Sequence, residues 1–315
     1  MPTSLPLIST FAALALLGAP NASAASAGCD RACLRKTLDN YLDAVLKHDP
    51  SRAPLDASFR YTENAGLVAR GEGLWKTATA LGKIQRRYVD LVNGQAVYFG
   101  HINEGGAIGI ATLRIRVINR KISEGELVIG RKIDGMFSAD GLSANAPPLA
   151  LVAKEARSSR EAMVAAAKSY FDGIERHDSS AVLGQKGCVR IENGVMTAGP
   201  VPALNPTAPA QPASPQSVAA SGPPVIGDCG SHMDIFKATI AAVDHRRFPV
   251  VDQQAGVVLG MVVFNRPPGA KRGDGSPFPR NLLTELFMVE NGRIRGIYAA
   301  MHYLVPDNPE APGWQ

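Results

Sequence analysis

Several groups in this chain have residue types and spacings that could do chemistry. In the C-terminal half, His245, Arg247 and Asp252 fall within eight residues of one another, and Tyr298 and His302 alternate along a later apolar stretch. A carboxylate beside a His or Tyr in an apolar pocket can take a proton from the carbon next to a carbonyl, while Arg or Tyr steadies the enolate. Aldol cleavage, dehydration and isomerisation share that step. In the N-terminal half the candidates are Tyr61, Glu63, Asn64, Trp75, Asp90 and Arg114, with Glu124 and Glu126 further on. Each group also has a plain structural reading. His245-Arg246-Arg247 can be a solvated helix end, Asp252 a turn or cap, His302 a hydrogen-bonded strand residue and Trp75 simple core. Glu124 and Glu126 either enter a pocket, where burial would raise their pKa, or line a sheet face beside Arg114 and Arg116.

Other chemistries are disfavoured. Gly105-Gly106 lies in a hairpin turn, and Gly71-Glu72-Gly73 lacks the strand–helix context of a phosphate cradle. No Ser nucleophile elbow appears, so hydride and phosphoryl transfer are not expected. The net charge is +5 and the pI about 9.1. The basic residues do not run together with interleaved aromatics, which argues against nucleic acid as a partner. Cys29 and Cys33 lie four apart, and Cys188 and Cys229 flank one long loop. Neither pair has a second Cys or His at ligand spacing, so no metal is expected; pairing Cys29–Cys33 and Cys188–Cys229 is the simplest of three connectivities. No cofactor is expected.

The elements that would position these groups occur twice. Tyr41-Leu-Asp-Ala-Val-Leu-Lys-His48-Asp49 leads to Arg60-Tyr61-Thr62-Glu63-Asn64, and Tyr170-Phe-Asp-Gly-Ile-Glu-Arg-His177-Asp178 leads at the same spacing to Arg190-Ile191-Glu192-Asn193. Leu34, Leu38, Tyr41, Leu42, Val45 and Leu46 form the stripe of an opening helix capped by Asp30, ending at His48-Asp49-Pro50. Met163, Ala167, Tyr170, Phe171 and Ile174 repeat it after the capping-box sequence Ser158-Ser159-Arg160-Glu161. Helix is also predicted from Trp75 toward Arg87 and from Met233 to about Val243, with Pro54–Gly73 irregular apart from Phe59–Thr62. Strands are predicted over 95–100, 107–117, 121–131, 250–252, 257–265, 282–290 and 293–303, the last two joined by Asn291-Gly292. Glu124 and Glu126 should share a face with Ile122 and Val128, as Tyr298 and His302 should with Ile294 and Gly296. Helices first and a hairpinned sheet afterwards is an α+β order. The turn Asn119-Arg120-Lys121-Ile122 answers Asn291-Gly292-Arg293-Ile294.

The expected organisation is a signal peptide (1–24), a first domain (29–133), a linker (134–157), a second domain (158–304) interrupted by a Pro/Ala-rich loop (199–224), and a tail (305–315). An apolar run from Leu5 to Ala19 ahead of Ala22-Ser23-Ala24 carries the first of these. It points to a secreted or periplasmic protein, where disulfides persist.

This pattern resembles the cone-shaped α+β fold of nuclear transport factor 2-like proteins, a cystatin-like architecture shared by SnoaL-like polyketide cyclases, ketosteroid isomerase and scytalone dehydratase. Cys29-x-x-x-Cys33-Leu34, Tyr61-Thr62-Glu63-Asn64 and Gly71-Glu72-Gly73-Leu74-Trp75 are similar to an uncharacterised SnoaL-like group of exported fungal and bacterial proteins, over roughly residues 29–131. The resemblance implies two tandem cones, each a curved antiparallel sheet wrapped on N-terminal helices around a small-molecule pocket. It carries over no catalytic position, and fold alone does not settle function.

The reading that results is an exported pocket protein, its two cones packed as an intrachain pseudo-dimer that is otherwise monomeric, with no membrane contact once the signal peptide is removed. One function is a cofactor-independent lyase, isomerase or cyclase acting on a small apolar or aromatic carbonyl or hydroxy compound. Asp252, His245, His302, Tyr298 and Glu63 are then the candidate acid/base residues, and Trp75, Tyr61, Asn64, Arg114 and Arg247 the candidate ligand contacts. The other function is a non-catalytic binding or interaction module. Glu124 and Glu126 align with Gly296 and Tyr298, so at most one cone is expected to carry a given chemistry.

Overall fold

The computed structural model describes Met1 and residues 29–200 and 227–304. The expected signal peptide, the tail 305–315 and nearly all of the 199–224 loop lie outside the described residues. Helix α1 (Arg31–Leu46) starts where Asp30 accepts a hydrogen bond from the Cys33 amide, and it buries the predicted stripe except for Leu46, which is half-buried. Helix α4 (Arg160–Arg176) repeats the device with Ser159 bonded to the Ala162 amide. Both disulfides form as the simplest pairing, Cys29–Cys33 and Cys188–Cys229.

After α1 come strands β1 (Leu55–Glu63) and β2 (Gly66–Val68), the short helix α2 (Leu74–Thr77), then β3 (Ala78–Asp90), β4 (Gln95–Glu104), β5 (Ala107–Ile118) and β6 (Lys121–Gly130). Helix α3 (Ala139–Ala144) lies in the connection to α4. The second series is β7 (Gly184–Glu192), β8 (Val195–Ala198), β9 (Ala242–Asp252), β10 (Val257–Asn265), β11 (Asn281–Glu290) and β12 (Arg293–Tyr303). The sheet orders are identical, β2-β1-β6-β5-β4-β3 and β8-β7-β12-β11-β10-β9. The chain is therefore two tandem α+β units of one topology, each a curved sheet wrapped on its N-terminal helix. The sheets are antiparallel except where β1 meets β6 and β7 meets β12, which run parallel.

Several expected elements differ. The helix predicted from Trp75 stops after one turn, and Ala78 to Asp90 is strand. The helix predicted over 233–243 is a 3-10 segment, Met233–Ala238, and His245-Arg246-Arg247 lies within β9 rather than at a helix end. In both regions local helical spacing gives way to pairing with the long neighbouring strands β4 and β10. The irregular 54–73 region contains β1 and β2.

Each sheet is covered on both faces. One face packs on its own helix; the other packs on the partner sheet, through residues such as Val97, Phe99, Val128, Leu259, Leu286 and Ala300. That four-layer arrangement explains why β10 reads as an almost unbroken apolar run, since strands buried on both faces lose the polar alternation. A register shift near the start of β12 and another near the start of β6 turn Ile294 and Ile122 toward the helix side. Tyr298 and Ala300 consequently face the sheet–sheet interface while Ile294 does not. Glu126 does so with Val128, away from Ile122. The sequence pattern had placed each set on one face.

The interface is two-fold in character. Thr284 donates to Thr112 at 2.6 Å, and these two residues occupy the same place in their respective hairpins. Arg31, the first residue of α1, grips Asp252 through two hydrogen bonds of 2.8 Å; Arg160, the first residue of α4, grips Asp90 at 3.0 and 2.7 Å. The Val89 amide donates to Asp252 and the Val251 amide to Asp90, reciprocally.

Candidate acid/base site in the second unit

On β11 the residues Asn281, Leu283, Glu285, Phe287 and Val289 alternate onto the helix-facing side. Glu285 thus lies in the middle of a strand that is otherwise apolar on that face. It is fully buried, and no protein donor among the described residues reaches either carboxyl oxygen. Burial pushes its pKa well above the ordinary carboxylate range, the nearby Glu192 carboxylate adds to that, and Arg190 only partly opposes it. The carboxyl is therefore held protonated under conditions where an exposed glutamate is ionised, which makes it a hydrogen-bond donor and a proton source.

Its surroundings come from α4, β7, β8, β10 and the 3-10 segment Met233–Ala238. Tyr170 on α4 is wholly buried and packs edge-on against Phe171 and Phe287, at centroid distances of 5.8 and 5.5 Å. The Tyr170 hydroxyl, pushed up by burial, accepts from Arg190 Nη1 at 3.1 Å. Arg190 on β7 also donates to Thr197 of β8 at 2.8 Å, approaches Glu192 at 3.4 Å, and lies 5.0 Å from the Phe236 ring centre. A Cβ on Gly260 of β10 would come within 3.1 Å of the rings of Phe171 and Phe287, so the aromatic floor requires glycine there. The site is a charged and polar set enclosed by aromatic surface.

The first unit lacks it. The hairpin register that matches Asn119 with Asn291 places Leu113 where the second unit has Glu285, and Tyr98, which pairs with Leu113, where it has Gly260. The helix-to-strand repeat places Tyr61 opposite Arg190. Tyr98, Leu113, Tyr61 and Trp75 are all buried in the first core, which is filled with apolar and aromatic bulk.

The residues singled out in the sequence fall elsewhere. Asp252 is an interface clamp, accepting from Arg31, the Val89 amide and the Ala255 amide. Arg114 and Arg247 come together across the interface on Glu126, Arg247 at 2.6 Å and Arg114 at 3.0 Å, with Arg114 also bonded to Gln95 and Glu124. Tyr298 is buried at the same interface. His245 is an exposed strand residue with a positive φ of 53°. His302 approaches Asp134 at 2.8 Å, on the rim of the sheet. Asn64 spans the ladder by bonding both the amide and the carbonyl of Ile129, as Asn193 does with Met301. Glu63 accepts from the Leu74 amide and from Arg131, each at 2.8 Å, and Tyr61 and Trp75 lie beside it in the first core. His245, Asp252, Tyr298 and His302 do not converge on one another. Glu285, Arg190 and Tyr170 do; Glu285 is not among the residues singled out in the sequence, where its signal is one carboxylate at the centre of an apolar strand.

Among proteins of known sequence, a family described as a domain of unknown function (DUF8021) matches residues 156–301, which span the second unit. No curated protein matches the chain. Among solved structures the chain is similar to an NTF2-like protein of unknown function from Cytophaga hutchinsonii, at 12% identity and a TM-score of 0.24, over 31% of this chain and 89% of that one.

Proposed function

We propose that the second unit is a small-molecule site in which protonated Glu285 is the working acid/base group, and that the first unit is its structural counterpart. The observation that carries this reading is the complete burial of Glu285 without a protein partner. Leaving a carboxyl group unpaired in an apolar core costs about 1–3 kcal/mol relative to a paired one. Such a cost is retained where the group serves a ligand, and perturbed acids of this kind cluster at functional sites. A neutral carboxyl can donate to a carbonyl or hydroxyl oxygen and protonate it as charge develops; the conjugate carboxylate can then remove a proton from the neighbouring carbon. Tyr170 and Arg190 stand beside it to steady a developing oxyanion. Aromatic walls from Phe171, Phe287 and Phe236 suit an apolar or aromatic body. The reaction class this favours is a cofactor-independent lyase, isomerase or cyclase step on a carbonyl or hydroxy compound. Two disulfides support placing the protein in an oxidising, extracytoplasmic compartment.

The test is a panel of neutral cyclic and aromatic ketones and secondary alcohols, screened by thermal shift and then by NMR for exchange of α-hydrogens in deuterium oxide. Wild type should exchange or convert at least one binder. Glu285→Gln should keep binding, because the amide still donates, and lose turnover by roughly 100-fold or more, the scale of one general acid/base group. Binding without exchange in both proteins would leave a binding module in place of an enzyme.

A further inference from the structure

The solvent-facing end of the second unit is built from the residues that close β10 and β12 and open β11, and it carries a cation that makes no ion pair among the described residues. Arg266 donates from Nε to the Pro279 carbonyl at 2.8 Å, from Nη1 to the Thr239 carbonyl at 2.8 Å and from Nη2 to Asn281 Oδ1 at 2.5 Å. Its guanidinium lies 4.0 Å from the Phe278 ring centre. All three acceptors are neutral, and among the described residues Arg266 makes no ion pair. Three of its five N–H groups are thereby used to fix its orientation, and two remain. Arg272 adds a second cation, 5.9 Å from the Phe278 ring centre and 4.7 Å from that of Tyr303. Burial together with Arg272 lowers the Arg266 pKa to about 10, against the pull of Tyr303 and Glu192; it remains a cation at neutral pH.

The same end of the first unit shows what a neutralised version looks like. The register that matches Gln95 with Val257 matches Glu104 with Arg266, and the one that matches Asn119 with Asn291 matches Arg131 with Tyr303. There Arg131 is held by Glu104 at 2.7 Å and by Glu63 at 2.8 Å, a closed ion-pair set. In the second unit the acid at the first position has become an arginine and the arginine at the second a tyrosine.

This end connects to the carboxyl site. Asn281, which holds Arg266, lies on the same face of β11 as Glu285, and its amide donates to the sulfur of Met301 in the helix-side core. Four residues of strand put the two positions about 13 Å apart.

We propose that Arg266, with Arg272 behind it, is the anchor for a carboxylate on the ligand. The second unit then selects apolar or aromatic carboxylic acids that also carry a carbonyl or hydroxyl group toward Glu285. A carboxylate can accept from the two remaining donors of the guanidinium, and the Phe278 ring helps keep that guanidinium in place. This names the ligand class for the site proposed above and rests on that reading for the role of Glu285, while the anchor itself is tested separately.

The experiment uses the whole mature chain and matched probes: rigid aryl and alicyclic keto acids of about 8–12 Å length, each compared with its primary amide. Affinities are measured by calorimetry at pH 7. Carboxylates should bind wild type at least tenfold more tightly than their amides. Arg266→Gln should remove that preference, a loss of roughly ten- to a hundredfold for a charged hydrogen bond. Arg272→Gln, at an exposed position, should reduce it several-fold without unfolding the chain, and so serves if Arg266→Gln folds poorly. Equal binding of acids and amides by wild type, or an unchanged preference in the folded variants, overturns the anchor. No binding of any acid in the panel also overturns it. Neutral ketones that bind and exchange in a Glu285-dependent way, with no gain from a carboxylate, leave the acid/base reading standing and remove the anchor. Carboxylates that bind through Arg266 with no effect of Glu285→Gln on exchange do the reverse.

Discussion

Glu285 has a consequence for stability that is separable from any ligand. Its folded pKa is raised, so the native state binds its proton more tightly than the unfolded chain does. Below the ordinary glutamate value of 4.5 both states are protonated and the residue adds no pH dependence. As pH rises past 4.5 the unfolded state ionises while the folded state does not, and stability falls until the folded group also ionises. Glu285→Gln stays neutral throughout. The variant should therefore match wild type near pH 4 and exceed it increasingly toward neutrality, with a limiting slope of about 1.4 kcal/mol per pH unit. Urea unfolding at several pH values measures this directly, and a difference that stays flat with pH would show that Glu285 is ionised and paired. How legible the residue was is instructive. His, Asp and Tyr close together in sequence stand out by type, whereas Glu285 lies alone among leucines. Extending the Asn119/Asn291 hairpin match six residues upstream pairs Leu113 with Glu285. That internal contrast, available without coordinates, marks a fully buried apolar position of the first unit that is an acid in the second.

At the level of elements, alternation and capping carried the reading further than local helical spacing did. Both long helices, the central hairpins and the second hairpin's Asn-Gly turn follow from residues near in sequence. β3 and β9 do not: their sequences take their form from pairing with β4 and β10, contacts that local pattern cannot announce. The same is true of the bulges that turn Ile122 and Ile294 inward, because an extra residue shifts every face assignment beyond it. The Glu-Asn turn that recurs in both units was legible as a scaffold feature, and its geometry gives it a measurable role. Asn193 bonds the Met301 amide and carbonyl, each at 2.9 Å, and adds one side-chain rung to the parallel β7–β12 ladder beyond its last backbone pair. Asn193 also has a φ of 43°, a conformation asparagine tolerates better than alanine. Asn193→Ala should therefore cost about 2–4 kcal/mol, from two buried backbone groups left unpaired and the strained backbone. Asn64→Ala should cost a similar amount in the first unit, where the bonds to Ile129 are 2.8 and 3.1 Å. Chemical denaturation of both variants checks the pair; losses below 1 kcal/mol would mean that water replaces the side-chain rung.

For the whole molecule, three residues singled out in the sequence, Asp252, Tyr298 and Arg247, lie where the halves join. Asp252 and Asp90 are buried, each gripped by two guanidinium nitrogens from the first residue of the opposite unit's helix and by an amide from the opposite unit's β-strand. Removing one partner of a buried pair of this kind typically costs 3–5 kcal/mol, because the remaining charge has no compensation. The sheet–sheet face beyond the clamps is largely apolar and shared, so neither unit can expose it alone without a large hydrophobic loss. The intact chain should consequently unfold as one cooperative unit, with calorimetric and van't Hoff enthalpies equal. Asp90→Asn and Asp252→Asn should each lower stability by about 3 kcal/mol, and by similar amounts, because the contacts are two-fold equivalents. Cutting both clamps should bring the melting of the two units apart in a differential scan. The two costs should not simply add, since each carboxylate also holds the amide of the residue beside the other one, Val89 next to Asp90 and Val251 next to Asp252. If Asp252→Asn instead left stability unchanged while abolishing turnover of a substrate found in the screen, Asp252 would be a working acid after all, and the symmetric role argued from its four donors would be wrong.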